Sequence, residues 1–252
     1  MKVILLAGGL GTRISEETDA KPKPMVLIGD KPILWHLMQT FAQQGLSDFV
    51  IALGYKHGVI EEWLDELEGV DRVVDPSDFE MDQSHPSKWR VMGINTGADT
   101  QTGGRITQCM KAFPGETFIA TYGDGLANVS IPDLLQFHKS HGKLATVTAV
   151  RPPARFGHLN IHDGQVVHFG EKNQSDEGWI NGGYFVLEPD VADFVYGDGE
   201  PFEVGALPRL AEIGQLMAYH HEGFWKPMDT LRDKVELTRL AESGAPPWNI
   251  PK

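Results

Sequence analysis

Apolar positions along the chain fall into short continuous runs that alternate with stretches at helical spacing. Residues 2–7 are apolar almost throughout, as expected of a strand buried on both faces of a parallel sheet. Ile33, Leu34, Leu37, Met38 and Phe41 repeat at the spacing of one helix face, with Gly45 to stop the helix. Asp48–Leu53 reads as the next strand. Val59, Ile60, Trp63, Leu64 and Leu67 form a second amphipathic helix, followed by a short strand at residues 72–75. Residues 76–104 are rich in Asp, Ser, Thr, Gly and His and read largely as a long loop with a short strand at residues 89–94; loops of that length in compact domains are often functional. Phe118–Tyr122 is a further strand ending on Gly123-Asp124-Gly125. Ile131, Leu134, Leu135 and His138 mark another helix before a strand at residues 144–150.

Alternation of strand and helix over the first 150 residues predicts an α/β fold, a Rossmann-like three-layer α/β/α domain with helices on both faces of the sheet. Beyond residue 150 the pattern changes. Segments 159–161 and 166–169 flank Asp163-Gly164, a hairpin signal. Ile180–Leu187 is another strand, and a last helix begins near Thr230. One domain of 252 residues is expected, with a smaller β-rich portion over 151–229 and a C-terminal helix and tail over 230–252.

Composition narrows the possible roles. A 41% hydrophobic, 23% charged chain is ordinary globular protein. No run of about 18 apolar residues predicts a membrane span, and the N-terminal apolar stretch is too short for a signal peptide. A net charge of -13 argues against a nucleic-acid binder. Cys109 is the only cysteine, so no intrachain disulfide forms, in keeping with a cytoplasmic location. The histidines have no zinc-like spacing with Cys109, and no G-x-S-x-G nucleophile motif occurs.

Four segments carry candidate chemistry. Leu6-Ala7-Gly8-Gly9-Leu10-Gly11-Thr12-Arg13 follows the first strand. Its glycines let backbone N–H groups approach phosphate oxygens, although the spacing matches neither the dinucleotide fingerprint nor the P-loop. A tight connection would use the same glycines, but Arg13 beside them suits a phosphate. In Lys21-Pro22-Lys23-Pro24-Met25 the prolines stiffen the backbone around Lys23; an exposed basic turn is the alternative. Tyr122-Gly123-Asp124-Gly125 lies at the carboxyl end of a strand, where open α/β sheets place ligands, and Asp124 there is a candidate metal ligand. Asp229, after Phe224-Trp225-Lys226-Pro227-Met228, either caps the following helix or joins Asp124 on a magnesium ion, which takes one or two carboxylates plus phosphate oxygens. Glu171-Lys172 and Asn181-Gly182 are turns or a bulge, or else contacts to a sugar and its phosphate. A second Gly-Asp-Gly at Gly197-Asp198-Gly199 follows no apolar strand and reads as a surface turn.

These segments, with Thr102-Gly103-Gly104-Arg105 and the run from Phe224 to Lys234, span nearly the whole chain in one order. On them the chain resembles the sugar-phosphate nucleotidylyltransferases, most closely the branch that joins CTP to glucose 1-phosphate. The resemblance implies nucleotide contacts from Leu6, Ala7, Gly8, Gly9, Leu10, Gly11, Thr12, Arg13, Lys23, Thr100, Arg105 and Gly123. It also implies sugar-phosphate contacts from Glu171, Lys172, Asn181 and Gly182, and Mg2+ on Asp124 and Asp229. Arg13 and Lys23 would be the catalytic cations. Residues 1–150 would mainly bind nucleotide and 151–229 the sugar phosphate. A homo-oligomer, a hexamer in which Arg105 and Asn181 reach a neighbouring subunit's nucleotide, is the implied assembly. A relative using UTP or dTTP, or a non-catalytic nucleotide-sugar sensor, is the competing reading.

Overall fold

The computed structural model describes residues 1–9, 11, 14–81, 88–152, 158–162, 165–170 and 178–249. In the first half of the chain the strands are β1 (Lys2–Leu6), β2 (Leu27–Ile28), β3 (Lys31–Pro32), β4 (Asp48–Leu53), β5 (Val70–Arg72), β6 (Trp89–Asn95), β7 (Phe118–Tyr122) and β8 (Gly125–Ala127). The second half contributes β9 (Ala145–Val150), β10 (His158–His162), β11 (Gln165–Gly170), β12 (Ile180–Leu187), β13 (Leu216–His221) and β14 (Trp225–Pro227). The helices are α1 (Ser15–Thr18), α2 (Ile33–Ala42), α3 (His57–Glu66), α4 (Asp78–Met81), α5 (Thr102–Lys111), α6 (Ile131–His141), α7 (Ala206–Glu212) and α8 (Leu231–Ala241).

Eight strands form one sheet in the order β13-β9-β12-β7-β1-β4-β6-β5. All run parallel except β12, which is antiparallel to both its neighbours, β7 and β9. Side-chain alternation along β1 explains the layers. Val3 and Leu5 face a core built with α2, α3, α6 and α8, whereas Ile4 and Leu6 face a second core built with α5 and α7. Every residue of β1 is buried, which accounts for the apolar run that follows Lys2.

The expected three-layer α/β architecture is therefore present, with two differences of detail. The strand expected at residues 89–94 is β6, but the loop expected around it over residues 76–104 also holds α4 and the start of α5. Ile180–Leu187, expected in a separate β-rich portion, is inserted in the main sheet beside β7. The hairpin expected around Asp163-Gly164 forms: β10 and β11 pair antiparallel, with His162 opposite Gln165. The C-terminal helix starts at Leu231 behind a capping box in which Thr230 accepts from the Asp233 N–H and Asp233 accepts from the Thr230 N–H. Among the described residues, no helix is long and apolar enough to cross a membrane.

Glycines 103 and 104 are what allow α5 to lie where it does. A Cβ on Gly103 would sit 2.6 Å from the Glu200 carbonyl oxygen, and one on Gly104 would sit 2.6 Å from the Asp198 Cα. The turn around Gly197-Asp198-Gly199 thus closes against the first turn of α5. The Gln101 N–H donates to the Asp198 carbonyl at 2.8 Å and the Gly103 N–H to the Glu200 carbonyl at 3.1 Å. We expect Gly104→Ala to lower stability by at least about 1 to 3 kcal/mol, as overpacking a tight contact does. An unchanged thermal midpoint would show that this contact relaxes freely.

Candidate active site

The carboxyl ends of β1 and β7 open onto a cleft of about 290 Å³. Its walls are Leu6, Gly8, Gly9 and Gly11 from the glycine loop, Lys23 and Pro24, residues Thr100 to Thr102 with Arg105, residues Tyr122 to Asp124, and Asp229. Ten of the residues expected at the site (Leu6, Gly8, Gly9, Gly11, Lys23, Thr100, Arg105, Gly123, Asp124 and Asp229) meet around this one space. Ala7 is fully buried beneath the loop, its N–H donating to the Ala52 carbonyl at 3.1 Å. Leu10, Thr12, Arg13, Glu171 and Lys172 lie outside the described residues.

Backbone geometry fixes the floor. The Gly123 N–H donates to the Leu6 carbonyl at 3.0 Å, and a Cβ on Gly123 would approach that oxygen to 2.6 Å. Gly11 holds φ +65, in the left-handed region glycine tolerates.

Lys23 begins a short 3-10 turn, Lys23–Met25, between two prolines. The turn is closed by the Met25 N–H donating to the Pro22 carbonyl at 2.8 Å. Only 8% of Lys23 is exposed. Its ammonium donates to Asp124 Oδ2 at 2.7 Å and to Asp229 Oδ1 at 2.9 Å. Burial alone would lower its pKa, but the two carboxylates outweigh burial and hold it above the ordinary lysine value. The sequence reading put both carboxylates on one metal ion and Lys23 on phosphate; here the Lys23 ammonium bridges the two carboxylates.

Short antiparallel pairing brings the two acids together. β8 pairs with β14, setting Gly125 opposite Pro227. The buried Met228 then donates its N–H to the Asp124 carbonyl at 2.8 Å. Helix capping falls to Thr230 and Asp233, so the alternative role for Asp229, capping the final helix, is not the one it takes.

Arg105 lines the cleft yet is only 3% exposed. Its guanidinium donates to the carbonyls of Gly8 at 2.9 Å, Gly97 at 2.9 Å, Leu53 at 3.1 Å and Ala98 at 3.2 Å, and to Thr96 Oγ1 at 2.6 Å. Such a side chain ties the glycine loop to the ends of β4 and β6. Gly8 and Gly54 make room for it: a Cβ on either would come within 2.3 Å of Arg105 Nη1.

Asn181 and Gly182 stand at the start of β12, beside the cleft and not among its lining residues. Asn181 donates to the Tyr122 hydroxyl at 3.2 Å and accepts from the Gly183 N–H at 2.8 Å. The Gly182 carbonyl accepts from Trp225 Nε1 at 2.7 Å.

Residues 2–242 match the model of the nucleotidyl transferase family. The chain belongs to the nucleotidyl transferase family. It is 48% identical to a glucose-1-phosphate cytidylyltransferase of Salmonella typhimurium over 98% of both chains. It is 41% identical to a probable glucose-1-phosphate cytidylyltransferase of Bacillus subtilis, over 99% of this chain and all of that one. A crystal structure of HddC from Yersinia pseudotuberculosis, complexed with GMP-PN, superposes with a TM-score of 0.70 at 25% identity, covering 94% of this chain and 98% of that one.

Sequence reasoning missed part of this nucleotidyl transferase's cleft. Gln101 and Thr102 line it because α5 begins there. The signal was present in Ile106, Cys109, Met110 and Phe113, spaced like one helix face and all buried in one core. Glu203, which accepts from Thr102 Oγ1 at 2.7 Å and from the Tyr122 hydroxyl, had no sequence signal at all.

Proposed function

We propose that this nucleotidyl transferase moves the cytidylyl group of CTP onto α-D-glucose 1-phosphate, giving CDP-glucose and pyrophosphate. The reading is carried by the meeting of the glycine loop, Lys23, Asp124 and Asp229 in one cleft at the carboxyl end of the sheet. CTP and glucose 1-phosphate are chosen on the names of the relatives 48% and 41% identical over nearly the full chain.

A phosphate oxygen of the sugar 1-phosphate attacks the α-phosphorus as the bond from that phosphorus to the bridging oxygen breaks, releasing pyrophosphate. The attacking oxygen is already anionic near neutral pH, since a phosphate monoester's second pKa is about 6. No general base is needed. What the site must supply is positioning and positive charge. Among the described lining residues the charges cancel, Lys23 and Arg105 against Asp124 and Asp229. Arg105, moreover, directs its donors at protein oxygens. A triphosphate therefore needs further cations, which Arg13 and a divalent metal would provide.

The donor set suits such a metal. Two carboxylate oxygens already touch one nitrogen, so both reach a single cation position, and hard oxygen ligands fit Mg2+. Asp124 and Asp229 would hold it, and when bound it would offset charge on the α-phosphate and the attacking phosphate. Lys23 would then turn to the departing pyrophosphate.

Pyrophosphate release measured with each of four nucleoside triphosphates and glucose 1-phosphate tests the proposal. CTP should be used well ahead of the others; a preference for UTP or dTTP would overturn the base assignment. Nucleotide binding with no pyrophosphate release from any pair would make the protein a sensor. Asp124→Asn should raise the Mg2+ concentration for half-maximal activity by at least about 10-fold, as even indirect partners of metal sites do. An unchanged metal titration removes Asp124 from the ligand set.

A further inference from the structure

One hydrogen-bonded chain runs from the 197–205 turn, past the cleft, to the start of β12. Its direction can be worked out from donors and acceptors alone. The Gly183 N–H can only donate, so the atom it meets at 2.8 Å is Asn181 Oδ1. The Asn181 amide nitrogen therefore faces the Tyr122 hydroxyl, at 3.2 Å, and donates to it. Tyr122 in turn has its proton free for Glu203 Oε1, which accepts it. The other oxygen, Glu203 Oε2, accepts from Thr102 Oγ1 at 2.7 Å. Thr102 Oγ1 itself accepts from the Phe202 N–H at 2.8 Å, so its proton too is committed to the carboxylate.

Packing leaves this chain little freedom. Gly183 has φ +81, and a Cβ there would lie 2.4 Å from Tyr122 Cδ2, so the ring rests directly on the Gly183 backbone. The opposite constraint comes from Phe185, edge-on to Tyr122 with centroids 5.8 Å apart. Tyr122 and Thr102 both line the cleft, and the Glu203 carboxylate accepts from both.

We propose that Glu203 is a positioning residue: through the Tyr122 hydroxyl it holds the Asn181 amide in the one orientation that offers its second N–H to the sugar 1-phosphate. Among the described residues that second amide hydrogen has no protein partner, and Asn181 is exposed beside the cleft. The inference rests on the sugar-phosphate reading given above.

A leucine at 203 would remove both acceptors while keeping similar bulk. With no oxygen to receive it, the phenol proton is free to turn to Asn181 Oδ1, and the amide loses the fixed acceptor that held its N–H on Tyr122. Glu203→Leu should raise KM for the sugar 1-phosphate by about 10-fold while changing kcat and the nucleotide KM by less than about 3-fold, the signature of a lost binding contact. Tyr122→Phe keeps the ring but removes the shared oxygen, and should reproduce that shift. The double variant should be no worse than either single one, because both cut the same chain.

The experiment is steady-state pyrophosphate release with CTP and glucose 1-phosphate varied separately for wild type, both single variants and the double variant, with circular dichroism melts alongside. A wild type inactive with this pair would defeat the functional reading, not this one, and the series would then be run with the pair it does use. Variants that are folded and active with an unmoved sugar KM would overturn the positioning role. So would shifts that multiply in the double variant, or equal shifts in both substrates.

Discussion

Lys23→Ala should lower turnover by roughly 100-fold, the usual cost of losing one preorganised charge-stabilising donor. The residue is placed as such a donor must be. Its backbone is pinned by Pro22 and Pro24, its stem is buried, and its ammonium is kept protonated by two carboxylates. In the free protein it lies between Asp124 and Asp229 and offsets part of their mutual repulsion. The same substitution should have the opposite effect on metal binding. With no ammonium between them, the two carboxylates are open to a divalent cation, so calorimetric titration of Mg2+ alone should show tighter binding to Lys23→Ala than to wild type. A folding defect would weaken both properties, so opposite signs separate catalysis from damage. Near wild-type turnover in the folded variant would remove Lys23 from the catalytic set. Weaker Mg2+ binding would show that Lys23 does not compete with the ion.

The parts legible in the sequence are those whose physics is local or strongly patterned. β1, β4, β7 and β12 are buried almost throughout and read as apolar runs. α2 and α6 carry one apolar face each. α5 was hidden because glycine disfavours a helix by about 1 kcal/mol per residue. Gly103 and Gly104 are required by a contact with residues 198–202 that no local pattern reveals. β13 was hidden because Leu216–His221 is an edge strand of mixed polarity. The two metal-type carboxylates were legible as residue types at motif positions. That they would share one cation position came from the family resemblance and not from any local pattern, because it depends on β8 and β14, each three residues long. Glu203 lies 81 residues from Tyr122, and a lone Glu in a turn looks like any solvated charge.

Arg105→Met should lower stability by about 3 kcal/mol, from the loss of charge-assisted hydrogen bonds worth about 1.5 to 3 kcal/mol each but not additive. The reason is how unevenly its five acceptors are supported. The Gly8 carbonyl also accepts from the Tyr55 N–H at 3.1 Å, and the Leu53 carbonyl from the Thr96 N–H at 3.0 Å. Those two keep a partner when the guanidinium goes. The carbonyls of Gly97 and Ala98 are nearer the surface and regain water. What is lost is the joint between them: nothing else described holds the 97–98 turn to the glycine loop. For a chain of this size the loss corresponds to a thermal midpoint lower by roughly 6 to 12 °C. The nucleotide KM should rise with it, because the glycine loop proposed to face the phosphates is no longer fixed, whereas turnover at saturating nucleotide should fall far less than in Lys23→Ala. Arg105→Lys should behave much like Arg105→Met, since a single ammonium cannot span acceptors on three segments. An unshifted melting curve for either variant would mean that the guanidinium is not the joint. A collapse of turnover at saturating nucleotide, with the midpoint unchanged, would place Arg105 on the substrate and not on the scaffold.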